Sequence, residues 1–355
     1  VRLAFYPESY LELKEAEREK LMSTLMRGID ACIAADQYVI VDWHILNEQN
    51  PLAVEDEALA FFSTVAQAYA DSPNVLYEIC NEPNGETTWS DIRFYAEHVI
   101  PCIRELSPHA VVLVGTPNFD RELMSATRNP LDFDNVMYSL HFYVSTHKAD
   151  LRSELVDALS EGLPIFVTEC GLSGAAGDGE LDMDSAVEWF ELLRSHNVSF
   201  TVWSLSNKRE TSALMRATSE ATTRLSDEDL SPVGLWVKDL IKGKDPASIK
   251  LPKVDSNGML LNDEPIWMEW LNGRDIRSAG AWRAYALGSI AFLVVLLGLS
   301  RLYRRLTSKR YHTYDEIAEP PRMTRIVGGK GAASLPALSR LRLVRFSRWS
   351  ISFGA

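Results

Sequence analysis

Two carboxylates are the residues of this sequence best placed to do chemistry. Glu82 lies in YEICNEPNG and Glu169 in IFVTECG. Each ends a short, apolar, β-rich run, and each is followed by residues that turn the chain, Pro83 or Cys170-Gly171. Most of the 49 acidic side chains need no account beyond solvation. These two differ because buried strands deliver them to one rim. An opposed pair of carboxyl groups is the apparatus that glycosidic-bond hydrolysis requires. One, protonated, donates to the leaving oxygen, while the other attacks the sugar carbon or activates water. A structural pair neutralised by cations is the competing reading of the same pattern.

Other residues fit a site around the pair. His141 and Tyr143 are two apart on a strand, so their side chains face the same way. A Tyr143 hydroxyl and the Arg2 guanidinium can both hydrogen-bond Glu169. Trp203 offers a flat face for the apolar side of a pyranose ring, although an aromatic in this position also suits a core. His44 and Asn81 fall at strand ends beside the same rim. The seven histidines are scattered, and His141 and His147 lack a third ligand at convincing spacing, so no metal is expected. No nucleophile elbow and no phosphate loop occur, and no cofactor is expected. Cys32, Cys80, Cys102 and Cys170 have no metal-binding spacing and read as mostly buried free thiols, with a disulfide left open.

The elements that must position these residues alternate in kind. β-rich runs occur at 1–5, 38–44, 75–80, 111–115, 136–143, 165–170 and 200–205. Several are apolar on both faces, as parallel strands covered by helices must be. Amphipathic helical stretches lie between them at 17–35, 57–69, 90–106, 150–159 and 184–196, and residues 227–243 supply a last helix. This is a βα repeat, compatible with an open doubly wound sheet or a closed barrel. No Gly-rich dinucleotide loop follows any strand, and the polar and aromatic residues collect at strand carboxyl ends, which favours the barrel.

Taken with their order, VDWHILNEQNP, NVLYEICNEPNG, VLVGTPNFD, NVMYSLHFYVSTH, GLPIFVTECG and VWSLSNKRE resemble glycoside hydrolase family 5 of clan A, and especially its bacterial endoglucanase subfamily. The resemblance covers residues 1 to about 243. It implies an α/β fold, a (β/α)8 TIM barrel, and a retaining endo-β-1,4-glucanase acting on cellulose or related β-glucans. It makes Glu82 the general acid/base and Glu169 the nucleophile. Asn81 matches the residue that binds the 2-hydroxyl of the reacting sugar, and Arg2 and Tyr143 match the pair supporting the nucleophile. His44 and His141 match histidines lining the subsite, and Trp203 matches the platform under the sugar. A β-mannanase, xylanase or xyloglucanase of the same family is an alternative, as is a membrane-anchored, non-catalytic glycan-binding protein. The chain departs from the family in two places. Cys170-Gly171 stands where Trp-Gly is usual after the nucleophile. The family's first strand is absent ahead of Arg2, so the barrel is expected to lack one strand and the amino terminus to be incomplete.

Charge separates two regions. The chain carries a net charge of −13, which resolves into −22 over residues 1–300 and +9 over the remainder. So acidic a body disfavours nucleic acid as a partner. Between the two lies AYALGSIAFLVVLLGLS, seventeen uncharged residues at 284–300 bracketed by Arg283 and Arg301. As a helix it spans about 25 Å against a hydrocarbon core of about 30 Å. It is expected to be a C-terminal transmembrane helix. Arg301, Arg304, Arg305, Lys309 and Arg310 then place the carboxyl end in the cytoplasm of a bacterial cell and the catalytic domain outside. The resulting domain plan is a catalytic barrel over 1–244, a stalk over 245–282, the membrane helix over 283–301 and a basic, disordered tail over 302–355. The expected partners are a β-glucan and the membrane, with no protein partner implied.

Overall fold

The computed structural model describes residues 1–251 and the backbone of residues 350–353. The chain divides into two compact units, residues 1–262 with 340–355 and residues 263–339. The second unit lies outside the described residues. In the first, eight parallel strands close a barrel: β1 (Arg2–Phe5), β2 (Val39–Trp43), β3 (Val75–Glu78), β4 (Val111–Val114), β5 (Val136–Tyr143), β6 (Ile165–Gly171), β7 (Phe200–Val202) and β8 (Ser350–Phe353). Each strand pairs with its neighbour in sequence order, and β8 closes the ring against β7 and β1.

Residues 1–251 supply seven of these strands, and the barrel expected to lack one strand is closed by an eighth. The open place between β7 and β1 is taken by Ser350–Phe353, from the stretch expected to be disordered. Two unpaired parallel edges present rows of unmet N–H and C=O groups, and a short strand laid between them satisfies both.

The expected transmembrane helix, and the membrane anchorage and extracellular placement built on it, do not stand. No helix among the described residues is long and apolar enough to cross a membrane. The longest, Glu15–Ala34, has the length to span but carries Glu15, Glu17, Arg18, Glu19, Lys20, Arg27 and Asp30. Residues 284–300 lie outside the described residues.

Strand alternation sorts the core into two layers. From β2, Val39, Val41 and Trp43 point outward and are buried under the helices, with the Trp43 ring 4.8 Å from Phe61. The inward set begins with Ile40, Leu76, Leu113 and Phe166, which form a separate apolar cluster at the barrel floor. Two residues further along, the same faces bring in Asp42 on β2 and Glu78 on β3, both fully buried. Polar chemistry thus starts one layer above an apolar floor and continues to the carboxyl rim.

The helices lie close to the positions their periodicity indicates. Glu55–Ala68, Trp89–Leu106, Ala149–Ser160, Met183–Ser195 and Pro232–Ile241 cover the barrel. Thr88 and Asp91 form a reciprocal cap on the second of these, and the Asp182 and Ser231 side chains cap the last two. Pro246 is buried, and Ile249 and Leu251 pack against the core, so the chain stays on the barrel through residue 251.

The helix Pro232–Ile241 approaches the loop before it so closely that Gly234 is obligatory. A Cβ there would lie 2.0 Å from the carbonyl oxygen of Leu214. Gly234→Ala should lower the unfolding free energy by about 2–3 kcal/mol through overpacking. Urea denaturation would show this, and a variant as stable as the parent would contradict the packing described.

Candidate active site

Arg2 organises the rim from inside. It is fully buried at the start of β1, and its guanidinium reaches four side chains. Nε donates to Glu78 at 2.6 Å, and one terminal nitrogen donates to Glu169 Oε2 at 2.9 Å. The other donates to Asn81 Oδ1 at 2.6 Å and lies 2.9 Å from Asp42 Oδ2. The Glu169 Oε1 atom accepts from the Tyr143 hydroxyl at 2.7 Å. Both oxygens of Glu169 are thus held by donors from β1 and β5.

The register that makes this possible is irregular. Between β5 and β6 the pairing passes from Ser139↔Phe166 to His141↔Glu169, so β6 carries one extra residue. Such a bulge re-aims side chains near a strand end. Here it sets Glu169 beside His141 while Thr168, one residue earlier, still reaches the ring. His141 Nε2 is 2.8 Å from Thr168 Oγ1, and His141 Nδ1 is 2.8 Å from Glu82 Oε1. Asn81 donates to the Ile45 carbonyl at 3.0 Å, which ties the Asn81-Glu82 segment to the end of β2. His44 is 2.6 Å from Asp42 Oδ2 and stacks on Trp203 at 5.5 Å with an interplanar angle of 11°. The structure therefore brings Arg2, His44, Asn81, Glu82, His141, Tyr143, Glu169 and Trp203 into one cluster.

Burial dominates the electrostatics. It pushes the Glu82 carboxyl above its usual range, against the lowering pull of His44, Arg2 and Arg121. It lowers His44 and His141 to about 4 each, so both are neutral imidazoles near neutral pH. It raises Asp42 to about 8 despite the contact with Arg2. Glu78 moves upward for the same reason.

Among the described residues, two trios bring ligating atoms within 4.8 Å of one another, Glu78 with Asp120 and His141, and Glu82 with His141 and Glu169. Arg2 donates directly into Glu78 and into Glu169, so the positive charge that a metal would bring to these carboxylates is already present.

Several residues at the site carry weaker sequence signals. Asp42 and Glu78 interrupt apolar strands, two and four residues before His44 and Glu82, and an acid on the inward face of such a strand is itself a signal. Tyr6 packs on His44 with ring centroids 4.3 Å apart. Phe119 exposes an aromatic face, with Arg121 5.4 Å from its ring centre, and its N–H donates to the Pro83 carbonyl at 3.0 Å. No sequence pattern reveals the turn that carries Phe119. Residues 117–120 make helix-like hydrogen bonds, Asp120 N–H to the Thr116 carbonyl and Arg121 N–H to the Pro117 carbonyl, yet Asn118, Phe119 and Asp120 have φ of 59°, 60° and 56°. Three successive left-handed residues cost roughly 1–2 kcal/mol each. Gly115 permits the approach, since a Cβ there would lie 2.6 Å from the Cys80 carbonyl and 2.8 Å from Asp120 Oδ1.

The Cys170-Gly171 step has a similar steric basis. A Cβ on Gly171 would lie 2.4 Å from two ring carbons of Tyr143. Gly171→Ala should displace that ring and break its hydrogen bond to Glu169. Release of reducing ends from a soluble β-glucan, the substrate class that the resemblance implies, should then fall roughly 10–100-fold, the worth of one hydrogen bond to a charged group. Unchanged turnover in a folded variant would contradict this.

Comparison with known proteins agrees with the geometry. The sequence model for cellulase, glycosyl hydrolase family 5, matches residues 1–209. Endoglucanase A of Butyrivibrio fibrisolvens is 44% identical over 245 residues, covering 68% of this chain and 57% of that protein. An endoglucanase of Clostridium saccharobutylicum is 39% identical over 251 residues, covering 70% and 55%. The chain thus spans a little over half the length of these relatives. Among solved structures, the catalytic domain of Thermobifida fusca endoglucanase Cel5A superimposes with a TM-score of 0.63 at 34% identity, covering 68% of this chain and 80% of that one. The alkaline cellulase K catalytic domain gives 0.62 at 31% identity, covering 72% and 80%. With its barrel, its paired glutamates and this breadth of match, the chain belongs to the cellulase family of glycoside hydrolases, family 5.

Proposed function

We propose that this protein is a retaining endo-β-1,4-glucanase that hydrolyses internal bonds of cellulose or related β-glucans. The observation that carries the reading is the separation of the two glutamates. One carboxylate oxygen of Glu82 and one of Glu169 lie within 4.8 Å of each other. That spacing suits a carboxylate that attacks the sugar directly, whereas an inverting enzyme separates its pair by about 6.5–9.5 Å to admit a water. Relatives named endoglucanase support the substrate class, and the Thermobifida fusca catalytic domain has been solved in complex with cellotetraose.

Each residue then has a task. Glu82, its pKa raised by burial, is the proton donor and delivers its proton to the glycosidic oxygen. Glu169, oriented by Arg2 and Tyr143, attacks the anomeric carbon and forms a glycosyl ester. The leaving chain departs, and Glu82, now a carboxylate, takes a proton from water as that water attacks the same carbon. The ester breaks and Glu169 is restored. Two inversions leave the β configuration unchanged. Asn81, fixed by Arg2 and the Ile45 carbonyl, binds the 2-hydroxyl of the reacting sugar. Trp203, backed by His44, stacks under the ring.

Glu82→Gln should lower reducing-end release from soluble β-glucan by about 10²–10⁴-fold, the usual worth of general acid–base catalysis. Glu169→Gln should lower it at least as far, because no covalent intermediate can form. Initial product observed by NMR should be the β-anomer. Undiminished activity in both variants, or an α-anomer as first product, would overturn the assignment. A panel of β-glucan, mannan, xylan and xyloglucan tests the substrate class, with fastest turnover expected on β-glucan.

A further inference from the structure

Asp120 has a place that the reaction described above leaves unexplained. It is fully buried, whereas Asn118 and Phe119, the other two left-handed residues of its turn, are exposed. Its Oδ1 accepts the Thr116 N–H at 2.6 Å. Its Oδ2 has no hydrogen-bond partner among the described residues and faces the His141 ring, 3.3 Å from Nε2. On its far side, the same ring meets Glu82 Oε1 through Nδ1 at 2.8 Å. Asp120, His141 and Glu82 therefore form a line from the barrel wall to the acid/base. The Phe119 N–H bond to the Pro83 carbonyl fastens the turn to the residue after Glu82, so the two ends of the line are also joined through the backbone.

We propose that Asp120 is a positioning residue for the acid/base: its Oδ2 carries a proton and presents it to Nε2 of His141, so that Nδ1 bears the ring proton and donates to Oε1 of Glu82, leaving Oε2 to carry the proton that is transferred. The inference rests on Glu82 being the acid/base.

The charge distribution around Asp120 agrees. The titratable groups that face Asp120 are Glu82 across the ring, Glu78, whose Oε1 is 3.9 Å from His141 Nε2, the buried Cys80 thiol and His141 itself. Arg2 acts from further off and is engaged by Asp42, Glu78, Glu169 and Asn81. A carboxyl buried beside two other carboxyls, with one backbone N–H as its donor, favours the neutral acid. Burial, Glu82 and Glu78 all push its pKa upward. A neutral acid is a donor, and neutral His141 offers Nε2 a lone pair. The Thr168 hydroxyl, 2.8 Å from the same nitrogen, can donate alongside it. With the ring in the opposite tautomer, Nδ1 would accept, and the Glu82 proton would be held on Oε1 by His141 and withheld from the sugar.

The test uses the whole chain with ¹⁵N-labelled histidine. Two-bond ¹H–¹⁵N spectra at neutral pH report the tautomer of His141, assigned with His141→Gln. The wild type and Asp120→Asn should both show the Nδ1–H form, because the Asn amide can still donate to Nε2 and its oxygen can still accept from Thr116. Asp120→Asn should keep kcat within about threefold. Asp120→Ala should lower kcat roughly 10–100-fold at nearly constant KM, the size of effect that loss of the partner behind a metal-bound histidine has, and should move the basic limb of the kcat/KM pH profile. A wild-type His141 found as the Nε2–H form or as imidazolium overturns the proposal, as does an Asp120→Asn variant as impaired as Asp120→Ala. The wild-type and Asn spectra decide the matter even where Asp120→Ala fails to fold. Full activity in Glu82→Gln would instead overturn the reading of Glu82 and leave the tautomer assignment standing.

Discussion

A single buried guanidinium, that of Arg2, is the interaction on which the rest of the rim depends. It touches Asp42 from β2, Glu78 at the end of β3, Asn81 just beyond β3 and Glu169 from β6. A buried charge is costly unless its partners are in place, and breaking such a pair costs about 3–5 kcal/mol. The four contacts thus tie the ends of β1, β2, β3 and β6 to a common point. They also create an imbalance, with one cation among three carboxyl groups. The surplus is relieved by protons, since Asp42 is pushed up to about 8 and Glu78 is also raised. Part of the polar interior is therefore neutral acid, able to donate as well as accept.

Around that cation, the two glutamates of the proposed mechanism are held differently. Glu169 has both oxygens engaged by donors, one charged and one phenolic. Glu82 has a neutral imidazole at one oxygen and stands further from Arg2, so burial governs it and its pKa rises. In the proposed mechanism the carboxylate fixed by two donors attacks, and the one governed by burial supplies the proton. Of these two chemically identical side chains, only Glu169 lies against the guanidinium.

Much of this was legible in the sequence, for identifiable reasons. The strands are apolar on both faces, the helices have one apolar stripe, and seven of the eight polar and aromatic residues, all but Arg2, fall at strand carboxyl ends. The barrel and the placement of Glu82, Glu169, His141 and Tyr143 at one rim follow from those patterns. The bulge in β6 is not legible, because Ile165–Gly171 reads as a plain strand and only its pairing with β5 reveals the extra residue. The turn at 117–120 is hidden for a similar reason, since nothing in PNFD calls for three left-handed residues and tertiary contacts hold them there. The closing strand at 350–353 was obscured by its setting in a basic, weakly patterned stretch. The apolar run at 284–300 shows the converse, since hydropathy alone carried the expectation of a membrane span and none of the described helices provides one.

The central claim is that Glu169 forms a covalent bond to the sugar. Incubation with a 2-deoxy-2-fluoro-β-cellobioside bearing an activated leaving group slows breakdown of the glycosyl ester more than its formation, so the intermediate accumulates. Peptide mapping by mass spectrometry then locates the label. The geometry predicts one fluoroglycosyl adduct per chain, on Glu169. Labelling of Glu82 or another residue, or hydrolysis with no adduct and inverted product, would contradict it.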